Sequence, residues 1–182
     1  MENNFILYSL QELLKNYSIN QIKKFLKTFK CSLNKDIEDF LHNRAITFEK
    51  KLRARTYLLL ENTTNKLAGY FSIAISVLYA NEIDKEKLLE IGDLRTPKNI
   101  PCLLIGQIAK SDNYKDIKIG NLLMELAIEK LELINKVVAG RFILLDAINN
   151  EKVIRFYEEF GFFKIEENTA KENIKMIRPF YG

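Results

Sequence analysis

Apolar residues recur along this chain with two periods, and the switches between them divide it into elements. Phe5-Ile6-Leu7-Tyr8 predicts a short strand over residues 4–9, with Ser9 placed to cap a helix over 10–16. Ser18 offers a second cap. Ile22, Phe25, Leu26 and Phe29 then fall at i, i+3, i+4 and i+7, with Lys23, Lys24, Lys27 and Lys30 off that stripe. Asn34 precedes a third helical stripe of Ile37, Phe40, Leu41, Ala45, Phe48 and Leu52. His42, the only histidine, lies off this stripe and reads as a solvated helix residue.

The pattern then becomes strand-like. Residues 55–61 (RTYLLLE) and 67–78 (LAGYFSIAISVL) flank the turn Asn62-Thr63-Thr64-Asn65 and predict an antiparallel hairpin, with Gly69 marking a bulge. Residues 84–91 predict a helix or structured insertion, and a polar loop over 92–101 leads to a central strand over 103–109. After Ser111-Asp112-Asn113 and a lysine-rich loop, a helix is expected over 119–137. Its buried face is Leu123, Leu126, Ala127, Leu131, Ile134 and Val137. A buried strand over 141–147 follows, then a helix capped by Asn149-Asn150 and ended by Gly161, then closing strands near 162–166 and 174–179. The order βααββ(α)βαβαββ is that of a mixed α/β layer with a strand–helix–strand crossover in its second half.

Composition narrows the class. At 182 residues and 47% hydrophobic, with no Pro/Ser/Gly-rich linker, the chain is expected to form one domain over residues 1–182. No apolar run approaches the ~18 residues of a membrane span, and the first ten residues lack the basic start of a signal peptide. A cytoplasmic protein is expected. Cys31 and Cys102 have no metal-ligand spacing and read as buried thiols of a reducing compartment. With one histidine, a His-dependent metal site or catalytic dyad rests on His42 alone.

Charge is uneven. Residues 1–60 hold 11 Lys/Arg against 6 Asp/Glu, whereas the rest of the chain holds 17 against 18. The positive excess sits in the N-terminal third, where solvated helix faces and a footprint for nucleic acid or an acidic partner are both consistent with it. The strand, polar turn and helix over 103–127 suggest an anion site, because a helix start carries unpaired N–H donors and a partial positive charge.

The tail carries the most specific pattern. Leu144-Leu145-Asp146-Ala147, Asn149, and Arg155-Phe156-Tyr157-Glu158-Glu159-Phe160-Gly161-Phe162 resemble the GNAT superfamily of acetyl-CoA-dependent N-acetyltransferases. The resemblance implies an α/β GNAT fold, a central mixed, mostly antiparallel twisted sheet flanked by helices. It implies acetyl-CoA as co-substrate, no metal, and a strand pair that splays to admit the thioester. Backbone groups of Ile108, Ala109 and Lys110 would hold the pantetheine arm, Asn149 would contact it, and Tyr157 would protonate the departing thiolate. The family's pyrophosphate loop, Q/R-x-x-G-x-G/A, falls on Lys115, Asp116, Ile117, Lys118, Ile119 and Gly120, with Asn121 next; only Gly120 remains glycine. Asp116 brings a negative charge there, which Lys115 and Lys118 offset.

A narrower likeness runs through the first half. Phe29-Lys30-Cys31-Ser32-Leu33, Asp39-Phe40-Leu41, Ala45, Tyr57 and Gly69-Tyr70-Phe71-Ser72, with Pro101, Ile105-Gly106 and Ile108-Ala109, are similar to the GNAT toxins of bacterial toxin–antitoxin pairs. Those proteins acetylate the α-amine of aminoacyl-tRNA. Gln107 stands where they commonly have arginine. The implied partners are an amine acceptor such as aminoacyl-tRNA, an antitoxin protein and, in a homodimer, a second copy of the chain, with no membrane. No general base declares itself; Glu61, Glu82 and Asp93 are candidates only as carboxylates in suitable segments. An α-amine with a pKa near 8 is roughly a tenth neutral at pH 7, a lysine amine only a few parts in ten thousand, so a base-poor site suits the former. A small-molecule or protein N-terminal acetyltransferase, and a degenerate GNAT fold kept as a binding module, are the alternatives.

Overall fold

The computed structural model describes residues 4–90, 98–166 and 171–180. Seven strands among them form one mostly antiparallel sheet in the order β1-β2-β3-β4-β5-β7-β6. The strands are β1 (Phe5–Ser9), β2 (Arg55–Glu61), β3 (Leu67–Tyr79), β4 (Asn99–Lys110), β5 (Phe142–Ile148), β6 (Phe163–Lys164) and β7 (Asn173–Pro179). The helices are α1 (Leu10–Asn16), α2 (Ile19–Leu26), α3 (Lys35–Asp39), α4 (Ala45–Lys50), α5 (Lys85–Glu90), α6 (Ile119–Asn135) and α7 (Glu151–Glu158). The chain groups into two compact units whose boundaries fall within β3, β4 and α6. One runs through Ala74 and includes Gly106–Glu129; the other comprises Ile75–Ile105 and the chain from Lys130.

In the first unit the predicted caps form. Ser9 Oγ accepts from Glu12 N at 3.2 Å. Ser18 and Gln21 make a reciprocal capping box, and Asn34 Oδ1 accepts from Asp36 N and Ile37 N. Helices α1, α2 and α4, the segment after α2 and the turn between α3 and α4 bury Leu10, Ile22, Leu26, Phe29, Leu41 and Ala45 against Leu58, Leu60 and Tyr70 of the hairpin. The third stripe is not one uninterrupted α-helix: Phe40–Arg44 form a π-turn between α3 and α4. The turn's extra residue shifts the phase, so Ile46 and Glu49 join the buried face. Leu52, expected on that stripe, lies past the end of α4 at φ 56° and is 75% exposed. His42 is not a solvated residue. It is half-buried, with Nε2 3.0 Å from the Phe29 carbonyl oxygen, and so ties the π-turn to the segment after α2.

The hairpin is antiparallel, with its register shifting between Leu59 and Leu60, beside Gly69. A Cβ on Gly69 would lie 2.6 Å from Leu123 Cδ1 and 2.9 Å from the Ala109 carbonyl oxygen. The glycine therefore permits β3, α6 and the end of β4 to pack closely, beyond its place beside the bulge.

In the second unit, Leu78, Ile100, Cys102, Phe142, Leu144, Ile165 and Ile177 form the core. Strands β4 and β5 pair in parallel at Cys102–Phe142, Leu103–Ile143 and Leu104–Leu144. Each strand runs on past the last pair, β4 to Lys110 and β5 to Ile148. Strand β5 pairs with β7 along its whole length. Asn150 caps α7, and Gly161 follows it at φ +79°, as the C-terminal glycine predicted. Helix α6 ends at Asn135, so Val137 is 85% exposed where a buried position was expected, while Met124 is fully buried. Both cysteines are buried free thiols, and burial pushes Cys102 up to about 11. No described helix is long and apolar enough to cross a membrane.

Candidate active site

The segment from Ile108 to Asn121 lies within the first unit as strand end, loop and helix start. Ile108, Ala109 and Lys110 are the last residues of β4. Ser111 N donates to the Ala68 carbonyl oxygen at 2.7 Å, anchoring the exit of the strand to β3. A short 3₁₀ turn, Asp112–Tyr114, follows. Tyr114 is buried against Phe5, with its hydroxyl 3.2 Å from Glu61 Oε2.

The loop's course rests on contacts that sequence spacing did not signal. Asp112 N donates to the Lys30 carbonyl at 2.8 Å, and Asp112 Oδ2 accepts from Ser32 N at 2.9 Å. That second bond is the main cause holding the Asp112 carboxyl below its usual range. Lys110 Nζ donates to the carbonyl oxygens of Lys115, at 2.7 Å, and Ile117, at 3.3 Å. Ile117 N closes on the Tyr114 carbonyl at 3.2 Å, and Ile119 N on the Ile117 carbonyl at 2.8 Å. Among the described residues, none of the positive φ angles falls between 115 and 120, so Asp116 and Lys118 hold ordinary backbone conformations where the family uses glycine. Lys115, Asp116 and Lys118 are exposed, and Lys115 Nζ lies 4.0 Å from Asp112 Oδ1. Ile119 is buried and begins α6, with Gly120 and Asn121 in its first turn. Two acceptors along this path, Gln107 Oε1 and Ser111 Oγ, are buried with no hydrogen-bond partner among the described residues.

The peptide groups of the loop alternate in direction. A planar trans peptide points its C=O and the next N–H in opposite directions. Because the carbonyls of Lys115 and Ile117 turn toward Lys110, the N–H groups of Asp116 and Lys118 turn away from it. Neither has an acceptor among the described residues. Two amides without an acceptor among the described residues, two exposed lysines and the start of a 17-residue helix are groups of the kind that bind anions, with the carboxylates of Asp112 and Asp116 as opposing charges nearby.

Tyr157 and Asn149 belong to the second unit. Tyr157 lies on α7, half-buried, its ring edge-on to Phe156 (5.4 Å between centroids) and Phe162 (6.1 Å). Burial alone pushes its phenol up to about 12. Asn149 precedes the cap of α7, its amide Nδ2 donating to the Lys171 carbonyl at 2.9 Å. Of the base candidates, Glu61 accepts hydrogen bonds from the hydroxyls of Thr64 and Tyr114. Burial, the largest single influence on Glu82, raises its pKa, but the hydrogen bonds from Lys175 (2.7 Å) and Tyr79 N together with the charges of Lys175 and Lys171 outweigh it, and the net shift is downward. Asp93 lies outside the described residues. No metal-binding group of His, Cys, Asp and Glu occurs among the described residues.

Solved structures were then compared with this arrangement. AtaT complexed with acetyl-methionyl-tRNAfMet superposes with a TM-score of 0.73 at 21% identity, covering 97% of this chain and 95% of that one. A Tyr-to-Phe mutant of KacT gives 0.74 at 17% identity, with 97% and 95% covered. A mutant AtaT toxin bound to acetyl-CoA and the C-terminus of the antitoxin AtaR gives 0.71 at 20%, with 97% and 93% covered. This chain has the GNAT fold of these toxins. No protein-family model matches the sequence, and no curated protein matches it. The GNAT fold was legible because its signature residues lie close together, from Leu144 to Phe162. The loop contacts of Asp112 and Lys110 were not: Asp112 and Ser32 lie 80 positions apart, and the acceptors of Lys110, five and seven residues on, are backbone carbonyls.

Proposed function

We propose that this protein is a cytoplasmic N-acetyltransferase, a single GNAT domain that moves acetyl from acetyl-CoA to the α-amine of aminoacyl-tRNA. The observation that carries the reading is the loop between β4 and α6, whose free Asp116 and Lys118 amides suit a pyrophosphate. In this reading Ile108, Ala109 and Lys110 hold the pantetheine arm by their backbone. Lys115, Lys118, Ile119, Gly120 and Asn121 receive the pyrophosphate, and Asn149 contacts the arm.

The amine lone pair attacks the thioester carbonyl carbon. The C–S bond breaks, the nitrogen loses a proton to water, and the sulfur takes one from the Tyr157 hydroxyl, which water then restores. A phenol pushed up to about 12 keeps its proton at neutral pH. Burial raises a thiol in the same way, as it takes Cys102 to about 11, so a thiolate desolvated beside Tyr157 competes well for that proton. With Glu61 and Glu82 engaged elsewhere, the acceptor must arrive neutral, which favours an α-amine over a lysine side chain.

The tRNA part rests on charge. Lys23, Lys24, Lys27 and Lys30 are exposed and enter no ion pair among the described residues. The ridge ends at Lys30, whose carbonyl is bonded to Asp112 at the start of the loop. A row of unpaired cations is the usual means of holding a phosphate backbone. AtaT, with acetyl-methionyl-tRNAfMet bound, and its complex with acetyl-CoA and AtaR support tRNA, acetyl-CoA and an antitoxin as partners here.

The test is acetyl transfer from labelled acetyl-CoA to aminoacyl-tRNA, uncharged tRNA and a peptide with a free N-terminus and a lysine. Label should appear on the amino acid released from charged tRNA and not on uncharged tRNA. Label confined to the peptide would replace tRNA with a protein acceptor.

A further inference from the structure

We infer that the Lys110 side chain is a positioning residue that takes over the part of the missing loop glycines, holding the Asp116 and Lys118 amides outward for the diphosphate of CoA. The inference rests on the proposed acetyl-CoA site. Glycine lets a backbone approach phosphate by removing the side chain and by freeing φ. Neither route is open at Asp116 or Lys118, and neither has a positive φ.

The loop instead carries an internal cation. Lys110 Nζ is bonded to the Lys115 carbonyl at 2.7 Å and the Ile117 carbonyl at 3.3 Å, two alternate peptides of the loop. Charge-assisted bonds of this kind are about twice as strong as neutral ones. They fix both peptide planes with oxygen inward and, by the trans geometry, the next N–H outward. The Ile117 oxygen also accepts from Ile119 N, so the same strut sets the entry into α6. Lys110 itself is anchored one residue before Ser111, whose N–H is bonded to Ala68 of β3. The strut therefore runs from the sheet to the loop, and its ammonium is directed at carbonyl oxygens.

The experiment compares wild type, Lys110→Met and Lys110→Arg by calorimetry with acetyl-CoA and with S-acetylpantetheine, which lacks the diphosphate. Amide hydrogen exchange is followed with and without saturating acetyl-CoA. Lys110→Met should lower the preference for acetyl-CoA over S-acetylpantetheine about tenfold, and Lys110→Arg, whose fork spans two acceptors, should restore most of it. The Asp116 and Lys118 amides should gain protection with acetyl-CoA in wild type and not in Lys110→Met. An unchanged preference would overturn the inference, as would full protection in Lys110→Met at saturation, which would mark Lys110 as a direct phosphate contact. Absence of acetyl-CoA binding by wild type would instead remove the acetyltransferase reading on which the inference rests.

Discussion

Burial sets the chemistry of Tyr157 more than any neighbouring charge does. Its phenol is raised to about 12 by desolvation, so it remains an acid across the whole pH range in which an amine acceptor becomes neutral. Acetylation rate should therefore rise with pH through the acceptor's pKa near 8 and show no falling limb from Tyr157 below about pH 11. Tyr157→Phe should lower kcat by about 10²–10³ with little change in acetyl-CoA affinity; a rate within twofold of wild type would remove it as the acid. Residue-level features that depend on near neighbours were legible in the sequence: the caps at Ser18, Asn34 and Asn150, and Gly161 after α7. Those that depend on distant ones were not. His42 looked solvated because its partner, the Phe29 carbonyl, is a backbone group beyond the preceding turn. The Lys110 side chain's contacts gave no signal either, because carbonyl acceptors leave no mark on side-chain pattern.

At the scale of elements, periodicity located the strands and helices and missed where two of them change course. The helical stripe from Ile37 onward continues through the π-turn because one extra residue there still buries Phe40, Leu41 and Ala45. Val137 continued the α6 stripe in sequence, but Asn135 ends the helix, its Oδ1 accepting from Gly140 N at 2.7 Å. Strand β3 approaches β4 and α6 closely at Gly69. Gly69→Ala would drive a methyl group into Leu123 Cδ1 and the Ala109 carbonyl, a backbone atom that cannot swing aside. Denaturant unfolding should show a loss of about 1–3 kcal/mol. A loss below about 0.5 kcal/mol would mean that α6 and β4 yield there at little cost.

The whole molecule combines the GNAT fold with a β4–α6 loop that lacks most glycines of the GNAT loop pattern. The crossover from β4 through α6 to β5 was legible because a parallel pair requires one, and the fold comparison agrees over 97% of the chain. Lost glycines alone pointed toward a degenerate site. In the structure the loop instead has two lysine-bonded carbonyls and two amides without an acceptor among the described residues. The central claim is therefore that this loop receives acetyl-CoA, and calorimetric titration of the intact protein with acetyl-CoA tests it most directly. The account predicts a Kd in the micromolar range, about −8 kcal/mol of binding free energy. No binding at millimolar acetyl-CoA would contradict it and leave a GNAT fold without acetyltransferase chemistry.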